Sequence, residues 1–168
     1  GLITATLVVN QQVSYFKNRQ LGFDKENVLL IQNDREIEEE RDAFKAALLQ
    51  NSNIRQASFS TGVPGLQSYQ TRDFSTPGKS NKGMGINWYQ IDDTYLSAMG
   101  MELLAGRNFS KNIASDTFGL ILNEAAVQAM GLQDPIGKYL VKNAGANDEQ
   151  KVQVIGVVKN FHLESLHH

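Results

Sequence analysis

The sequence has no cysteine and few prolines and histidines, and these shortages exclude several classes of protein. Its 168 residues include 0 Cys, 3 Pro and 3 His. Without cysteine there is no disulfide scaffold, no thiolate metal site and no cysteine nucleophile. No run approaches the roughly 20 apolar residues that span a bilayer, and no secretory signal peptide is visible. We therefore expect the chain as given to be water-soluble.

The sequence also lacks a surplus of positive charge. It has 16 Lys and Arg against 18 Asp and Glu, a formal net charge of −2, and its basic residues are scattered. Nucleic-acid binding needs basic residues gathered on one face, so no nucleic-acid partner is expected. The hydrophobic share of 41% and charged share of 20% are those of a globular domain rather than a disordered chain.

Hydrophobic periodicity in the first half predicts a strand, a helix and a second strand. Residues 27–32 form a short apolar run typical of a buried strand. Asn33 is placed to begin a helix, with Glu36 at the spacing of a capping box, and the helix ends near Asn51. Residues 57–61 alternate between apolar and polar side chains, which predicts a half-exposed strand.

Residues 62–83 are rich in Gly, Pro, Ser and Thr, which predicts a long loop or a weak hairpin around 71–75. Beyond it we expect a strand at 85–91, a short helix capped by Asp93 or Thr94 and closed by Gly100, and a strand at 101–105. The remaining predicted elements are a strand at 120–122, a helix at 124–130 between Asn123 and Gly131, and strands at 139–142 and 152–158. The apolar, β-branched run at 152–158 is expected in the middle of a sheet. The fold class is therefore α+β.

The segment from Gly131 to Lys138 has the glycine and lysine of a phosphate-binding loop, but its spacing is wrong. Five residues separate Gly131 and Gly137 where four are needed, and Tyr139 stands where a magnesium-binding Ser or Thr belongs. The segment also follows a predicted helix rather than a strand. We interpret it as a helix end, an Asp-Pro turn and the start of a strand.

Two other groups of polar residues contain side chains that suit a metal or catalytic site. The carboxy-terminal group (His162, Glu164, His167 and His168) contains metal-binding residue types, but it lacks the spacing of a zinc helix. The carboxylates Asp92, Asp93 and Asp116 are candidates for acid–base work, but adjacent side chains on a strand point to opposite faces. Trp88 and Tyr89 are candidates for stacking on a ligand, yet a core or cross-strand role fits an apolar strand better. We assign no catalytic, cofactor-binding or metal residue, and we expect no enzyme and no cofactor.

The apolar run at residues 2–9 allows two interpretations. Its pattern, continued through Val13 and Phe16, keeps one helical face apolar before polar residues such as Lys17 and Arg19 follow. It is either an amphipathic helix packed on the domain or the end of a membrane helix emerging into water.

Several stretches together resemble the periplasmic core domain of MacB/FtsX-type ABC-transporter permeases. The matching stretches are DDTYLSAMGMELLAGRNFS at 92–110, ILNEAAVQAMGLQDPIGK at 121–138, VIGVVKNFHLESL at 154–166, Pro64-Gly65, and the opening QQVSYFKNRQLGFDKENVLLI. Asn160 stands where the family commonly has Asp. Because the motifs occur in the right order over nearly the whole chain, the resemblance favours the end of a transmembrane segment for residues 2–9.

The resemblance implies an organisation and a location. Residues 1–22 would be a membrane-proximal helix, and residues 23–168 a single extracytoplasmic domain of mixed sheets. A strand–helix–strand lobe (about 23–91 plus 146–162) would carry an inserted second lobe (about 92–145). The full-length protein would lie in the inner (cytoplasmic) membrane, through flanking helices, with this domain in the periplasm.

The resemblance also implies a function and partners. The domain would dock partners or substrate and relay ATP-driven motion in export. Its partners would be a cytoplasmic ATPase subunit or domain, a second permease copy or homologue, and an adaptor protein, peptide or lipoprotein. The alternative is a receptor domain that senses an extracellular peptide or antibiotic, for which the loop at 62–83 is the first place to look. A free-standing hydrolase would require a nucleophile and base that the sequence does not show.

Overall fold

The computed structural model describes residues 22–23, 27–32, 37, 39–64, 66, 69–78 and 83–161. Three α-helices and a 3-10 helix are defined there: α1 (Arg41–Leu49), α2 (Tyr95–Ala98), the 3-10 helix (Ala114–Phe118) and α3 (Glu124–Ala129). The strands are β1 (Gln70–Ser75), β2 (Met84–Trp88), β3 (Leu103–Gly106), β4 (Gly119–Asn123), β5 (Tyr139–Lys142) and β6 (Gln150–Val158). This content confirms the predicted α+β class.

Strand β6 organises the sheet because it has neighbours on both sides. The order is β2-β1-β5-β6-β3, with β4 also paired to β6. β4 runs parallel to β6, whereas β3 and β5 run antiparallel to it. The hairpin of β1 and β2 joins the sheet through β5. The predicted mid-sheet position of residues 152–158 is thus confirmed, and it follows from an apolar, β-branched run that can be buried on both faces.

Two apolar clusters hold the elements together. In the first, α3 covers the face of the sheet that carries Phe74, Leu122, Leu140, Val152 and Val154. The second cluster is formed by α2, the residues just after it and the end of β6, and its buried members are Tyr95, Leu96, Met99, Met101 and Val158. Phe23 and Phe161 pack against this second cluster, so both ends of the described chain meet there.

Local capping signals correctly predicted α3. The Asn123 side chain accepts a hydrogen bond from the Ala126 N–H at 2.9 Å, and Gly131 follows the helix with a φ of 62°. A short polar cap and a left-handed glycine satisfy backbone groups that the helix leaves unpaired. The helix α2 and the left-handed Gly100 (φ 60°) are also as predicted. However, Thr94 makes no side-chain cap there: its hydroxyl oxygen accepts from the Lys45 ammonium, and its hydroxyl proton is donated to the Ala57 carbonyl.

The predicted buried strand at 27–32 is wrong. The segment has no strand partner among the described residues, and Asn27 begins it with a left-handed φ of 61°. Leu29, Leu30 and Ile31 are 81%, 50% and 50% exposed. An apolar run does not itself supply the neighbour that a strand's backbone groups need.

The predicted strand at 57–61 is reduced to one bridge between Ser60 and Ile91. Hydrogen bonds from the Thr61 N–H to the Gln90 carbonyl and from the Asp92 N–H to the Phe59 carbonyl flank this bridge. The weak hairpin expected around 71–75 is a regular one, since β1 pairs with β2 from Gln70 and Trp88 to Phe74 and Met84.

The start of the predicted helix at Asn33 and Glu36 lies outside the described residues, as do residues 1–21 of the predicted membrane-proximal helix. The single sheet takes strands from both predicted lobes, and the division into lobes stays a prediction. None of the helices in the described part of the chain has the length and apolar character required to span a bilayer.

Candidate interaction surface

Asp92 is engaged in a polar network that fastens α1 to the rest of the domain. The Lys45 ammonium lies 2.8 Å from the Asp92 carboxylate and donates to the Thr94 hydroxyl at 2.6 Å. The same carboxylate accepts from the Phe59 N–H at 3.0 Å and the Thr94 N–H at 3.1 Å. Asp92 therefore joins a helix, an extended segment and a turn.

Asp116 is held in a separate ion pair. The two terminal nitrogens of the Arg107 guanidinium each donate to one oxygen of the Asp116 carboxylate at 2.6 Å. The Ser110 N–H donates to the same carboxylate at 2.8 Å. The hydrogen bond from Arg107 is the main reason that the pKa of Asp116 is lowered, and it raises the pKa of Arg107. This fork closes the loop between β3 and the 3-10 helix.

The fork predicts a pH-dependent stability. Because the folded-state pKa of Asp116 is depressed, its contribution is present above the unfolded pKa near 4 and is lost as pH falls through the folded pKa. We expect Asp116→Asn to lower the melting temperature at neutral pH, and this deficit to shrink as the pH falls below about 4. Thermal unfolding of both proteins across the acidic range measures it. Asp134→Asn, at an exposed turn, is the control expected to change little, and a deficit for Asp116→Asn that is independent of pH would contradict the assignment.

Asp93 is not brought together with these carboxylates into a shared site. Its backbone carbonyl accepts from the Asn108 side-chain amide at 2.7 Å, and one oxygen of its carboxylate is buried without a hydrogen-bond partner. The described residues contain no group of three or more His, Asp or Glu arranged to hold a metal ion. The histidines at 162, 167 and 168, with Glu164, lie outside the described residues.

The segment from Gly131 to Lys138 is the predicted helix end, turn and strand start. It leaves α3 through the left-handed Gly131 and enters β5 after a second left-handed glycine, Gly137 (φ 82°). The Gly137 N–H donates to the Val154 carbonyl at 2.7 Å, and the Lys138 ammonium donates to the Gln133 carbonyl. The lysine that suggested a phosphate site thus stabilises its own turn.

The stretches that resemble the permease family meet around β6. Gly106 in the stretch 92–110 packs closely against Ile136 in the stretch 121–138, since a Cβ added to Gly106 would lie only 2.8 Å from Cδ1 of Ile136. Asn160 of the third stretch accepts from the Ala125 N–H at 2.8 Å, and its own N–H donates to the Glu124 carboxylate at 2.9 Å. The sequence analysis did not predict these two hydrogen bonds. The signal for them is an Asn whose side chain can accept from the first N–H groups of a helix.

The aromatic pair Trp88 and Tyr89 has two different roles. Tyr89 packs in the second cluster, edge-on to Tyr95 with ring centroids 5.7 Å apart, and burial raises the pKa of both phenols. Trp88 lies at the end of β2, where the Lys142 ammonium sits 4.2 Å from its ring centroid. The core role expected of the pair is thus confirmed for Tyr89, and the cross-strand role for Trp88.

Beside Trp88, two cations share one face of the β5-β1-β2 region. We call Arg72, Trp88 and Lys142 the basic–aromatic patch. Arg72 donates to the Thr71 carbonyl at 2.9 Å and to the Gln70 side-chain oxygen at 2.8 Å, both uncharged acceptors. Burial lowers the pKa of Lys142, and the nearby Arg72 charge lowers it further.

A shallow cleft of about 370 Å³ adjoins this patch at the end of the hairpin. Its walls are strand and turn residues: Thr71, Arg72, Asp73, Asn143, Ala144, Ala146 and Asp148. The Asn143 side chain donates to the Asp148 carboxylate at 2.8 Å, which holds the turn after β5 in place. The cleft takes three of its residues, Thr71 to Asp73, from the middle of the stretch 62–83 singled out by the sequence.

Comparison with solved structures gives the fold's relatives. The chain is similar to the periplasmic region of MacB from Actinobacillus actinomycetemcomitans, with 22% identity, a TM-score of 0.52, and coverage of 79% of this chain and 59% of that one. It is also similar to the extracellular domain of the noncanonic ABC-type transporter YknZ from Gram-positive bacteria, with 20% identity, a TM-score of 0.50, and coverage of 73% and 59%. The chain thus spans about three fifths of each of these two structures. No relative was found among the curated proteins.

The family comparison covers almost the entire sequence. The model of the MacB-like periplasmic core domain matches residues 1–166. This range contains every stretch on which the sequence resemblance rested, and the solved relatives share the fold. The chain therefore belongs to the family of MacB-like periplasmic core domains.

Proposed function

We propose that this chain is the extracytoplasmic domain of an ABC-transporter permease that docks partners or substrate and relays ATP-driven motion during export. The observation that carries the proposal is the family match over residues 1–166. The proposal includes a cytoplasmic ATPase subunit or domain and a second permease copy or homologue. It also places the full-length protein in the inner membrane, with this domain on the outer side.

The internal bonding of the domain supports a role in relaying motion. Two connections tie segments that are far apart in sequence, Lys45 to Asp92 and Asn160 to the start of α3. The pair of Arg107 and Asp116 closes the loop between β3 and the 3-10 helix. Close-packed interiors have low compressibility and transmit strain. A domain tied in this way moves as a body when a connected helix moves, which is what a relay requires.

Exposed apolar side chains support a docking role. Every residue of β3 is exposed, with Leu103 at 38% and Leu104 at 44%, and no strand among the described residues covers its outer edge. Phe118 is 53% exposed on the 3-10 helix nearby in sequence. Exposed apolar patches and free strand edges are typical of surfaces that bind other proteins.

The bonding of the carboxylates supports a non-enzymatic role. A general base needs a free lone pair within reach of a substrate proton. The Asp92 and Asp116 carboxylates instead accept hydrogen bonds from Lys45, Arg107 and backbone N–H groups. The unpartnered oxygen of Asp93 is buried, out of reach of a substrate in solution. We propose that the domain transmits and binds rather than catalyses, and turnover by the purified chain would overturn this.

The receptor function is the second candidate, and the cleft beside β1 is the observation that favours it. Its walls offer a cation, two carboxylates and a side-chain amide, from Arg72, Asp73, Asp148 and Asn143. These groups suit a small zwitterionic ligand. A receptor would bind such a ligand measurably as the isolated chain, whereas a docking module would respond to a partner protein.

Topology in the cell tests the leading proposal, and because these 168 residues contain no cysteine, one introduced thiol reports on this domain. Gln128→Cys places one thiol on the exposed side of α3. We expect a membrane-impermeant maleimide to label this variant of the full-length protein in intact spheroplasts as fully as in lysed membranes. The same protein without the substitution is the control for other thiols, and labelling of Gln128→Cys only after lysis would refute the extracytoplasmic location.

A further inference from the structure

We propose that the basic–aromatic patch of Arg72, Trp88 and Lys142, with the outer edge of β2, binds an acidic, extended peptide segment of a partner protein. The proposal rests on the docking function proposed above and names the chemistry of what is docked. Four observations support it: the shared face, the two cations, the unsatisfied indole and the open strand edge.

The strand register places the three side chains on one face. Alternate residues of a strand point to the same side, and directly paired residues on neighbouring strands share that side. Phe74 is paired with Lys142 on β5. Arg72 and Gln70 lie two and four residues before Phe74 on β1, so their side chains point to the same side. Gln70 is paired with Trp88 on β2, so the indole lies on the same face. This face is therefore buried at Phe74, and towards the end of β2 it presents the basic Arg72 and the aromatic Trp88.

The two cations on this face are not held in direct ion pairs. Neither Arg72 nor Lys142 forms an ion pair with a carboxylate among the residues the structure describes, whereas other cations of the domain do: Lys45, Arg107, Lys111 and Lys159. Asp148 acts on Lys142 only as the weakest of three influences. Asp73, next to Arg72 in sequence, is directed to the opposite face by strand alternation. Two adjacent cations on a half-buried surface are stabilised by an added anion.

The indole N–H of Trp88 adds a donor that the fold leaves unused. Its nitrogen is buried and has no hydrogen-bond partner among the described residues. A buried donor without an acceptor is costly, and native structures retain few of them. The Lys142 ammonium lies over the face of the same ring, so the indole and this cation form one part of the patch. Arg72, Lys142 and Trp88 are all donors, which selects an acceptor ligand.

The open edge of β2 argues for a peptide rather than a free anion or a lipid headgroup. β2 ends the strand order, and no described strand pairs with its outer side. Met84 is 43% exposed there, and Gly85 and Asn87 are also exposed. An extended peptide can add to such an edge through its backbone while its side chains reach the neighbouring face. Acidic side chains on every second residue match both the edge and the cations.

The single tryptophan of the chain makes binding directly observable. We would titrate the full 168-residue chain with acetyl-Glu-Val-Glu-Val-Glu-amide and follow Trp88 fluorescence. Arg72→Gln and Lys142→Met are each expected to weaken binding by about fivefold to tenfold, as loss of a charge-assisted contact does. Added salt should weaken binding by the parent protein more than by either variant.

Lys151→Met is the matched control, because the Lys151 ammonium lies 4.1 Å from the ring centroid of Tyr139 in the same kind of contact. It should change peptide affinity by less than about twofold, the size expected for an exposed charge. If Lys151→Met lost as much peptide affinity as Lys142→Met, the effect would be one of overall charge, and the proposal would be overturned. Unchanged affinity in Lys142→Met, with its melting temperature preserved, would overturn it as well.

Two further probes decide the class of ligand. Inorganic phosphate, or vesicles of phosphatidylglycerol, that bind the patch as well as the peptide does would overturn the peptide assignment. If Arg72→Gln does not fold, quenching of Trp88 fluorescence in the parent chain provides the second measurement. The anion iodide should quench more than the cation caesium because the patch is basic, and this difference should be smaller in Lys142→Met. These outcomes concern the isolated chain, whereas the topology experiment concerns the full-length protein, so the two proposals fail separately.

Discussion

The substitution Gly106→Ala should destabilise the domain by more than about 3 kcal/mol, because two costs add at this position. The φ of Gly106 is +73°, a conformation that costs a residue with a side chain about 1–2 kcal/mol. A Cβ there would also lie 2.2 Å from the Ile155 carbonyl oxygen and 3.0 Å from the Gly156 Cα. Both atoms belong to the backbone of β6, which pairs with three other strands and cannot yield locally.

Gly131→Ala is the matched control for this prediction. Gly131 has nearly the same φ, +62°, but a Cβ there would meet nothing within 4 Å. Only the conformational cost remains, so we expect a loss of about 1 kcal/mol. Urea unfolding of both variants gives the two free energies, and equal losses would show that contact with β6 is not the cause.

The close packing of Gly106 also gives a physical reason for part of the family-like stretch at 92–110. The glycine lets the chain pass against β6, the Arg107 N–H donates to the Ile155 carbonyl at 2.9 Å, and the guanidinium then forks onto Asp116. Each residue of this short segment is used to hold β3 and the following loop against the central strand. Gly106 and Arg107 thus have structural roles in this stretch.

Elements with local signals were predictable from the sequence. Asn123 and Gly131 bracket α3 with a polar cap and a left-handed glycine, and both signals depend on neighbours within a few residues. The run at 152–158 is apolar enough on both faces that only a central strand suits it. These elements are found where the pattern places them.

Elements that need a distant partner were not predictable in the same way. Residues 27–32 have the composition of a strand, yet no described strand lies beside them, whereas 57–61 gain only the bridge at Ser60. Sequence periodicity reports which side chains prefer burial, not which strand is adjacent. The same limit applies to the surface: Trp88 was recognisable as a strand aromatic, but its contact with Lys142 depends on a register set through β1.

The packing of Phe74 carries the second large prediction. Phe74 is 2% exposed in the first apolar cluster and is paired with Met84 on one side and Lys142 on the other. Phe74→Ala should lower the free energy of unfolding by about 3–5 kcal/mol, from lost burial and the cavity that remains. Since whole domains are stable by only about 5–15 kcal/mol, this variant should unfold at a markedly lower denaturant concentration.

Phe118→Ala removes the same side chain from a position that is 53% exposed, and it should cost less than about 1 kcal/mol. Denaturant unfolding followed by circular dichroism compares the two, and similar losses would contradict the burial argument.

Phe74 also fixes the strand that carries Arg72 between the strands that carry Trp88 and Lys142. Phe74→Ala should therefore shift Trp88 fluorescence in the folded state and weaken binding of the acidic peptide, whereas Phe118→Ala should do neither. A destabilised Phe74→Ala with unchanged fluorescence and peptide affinity would show that the patch is held by its own contacts and not by the core beneath it.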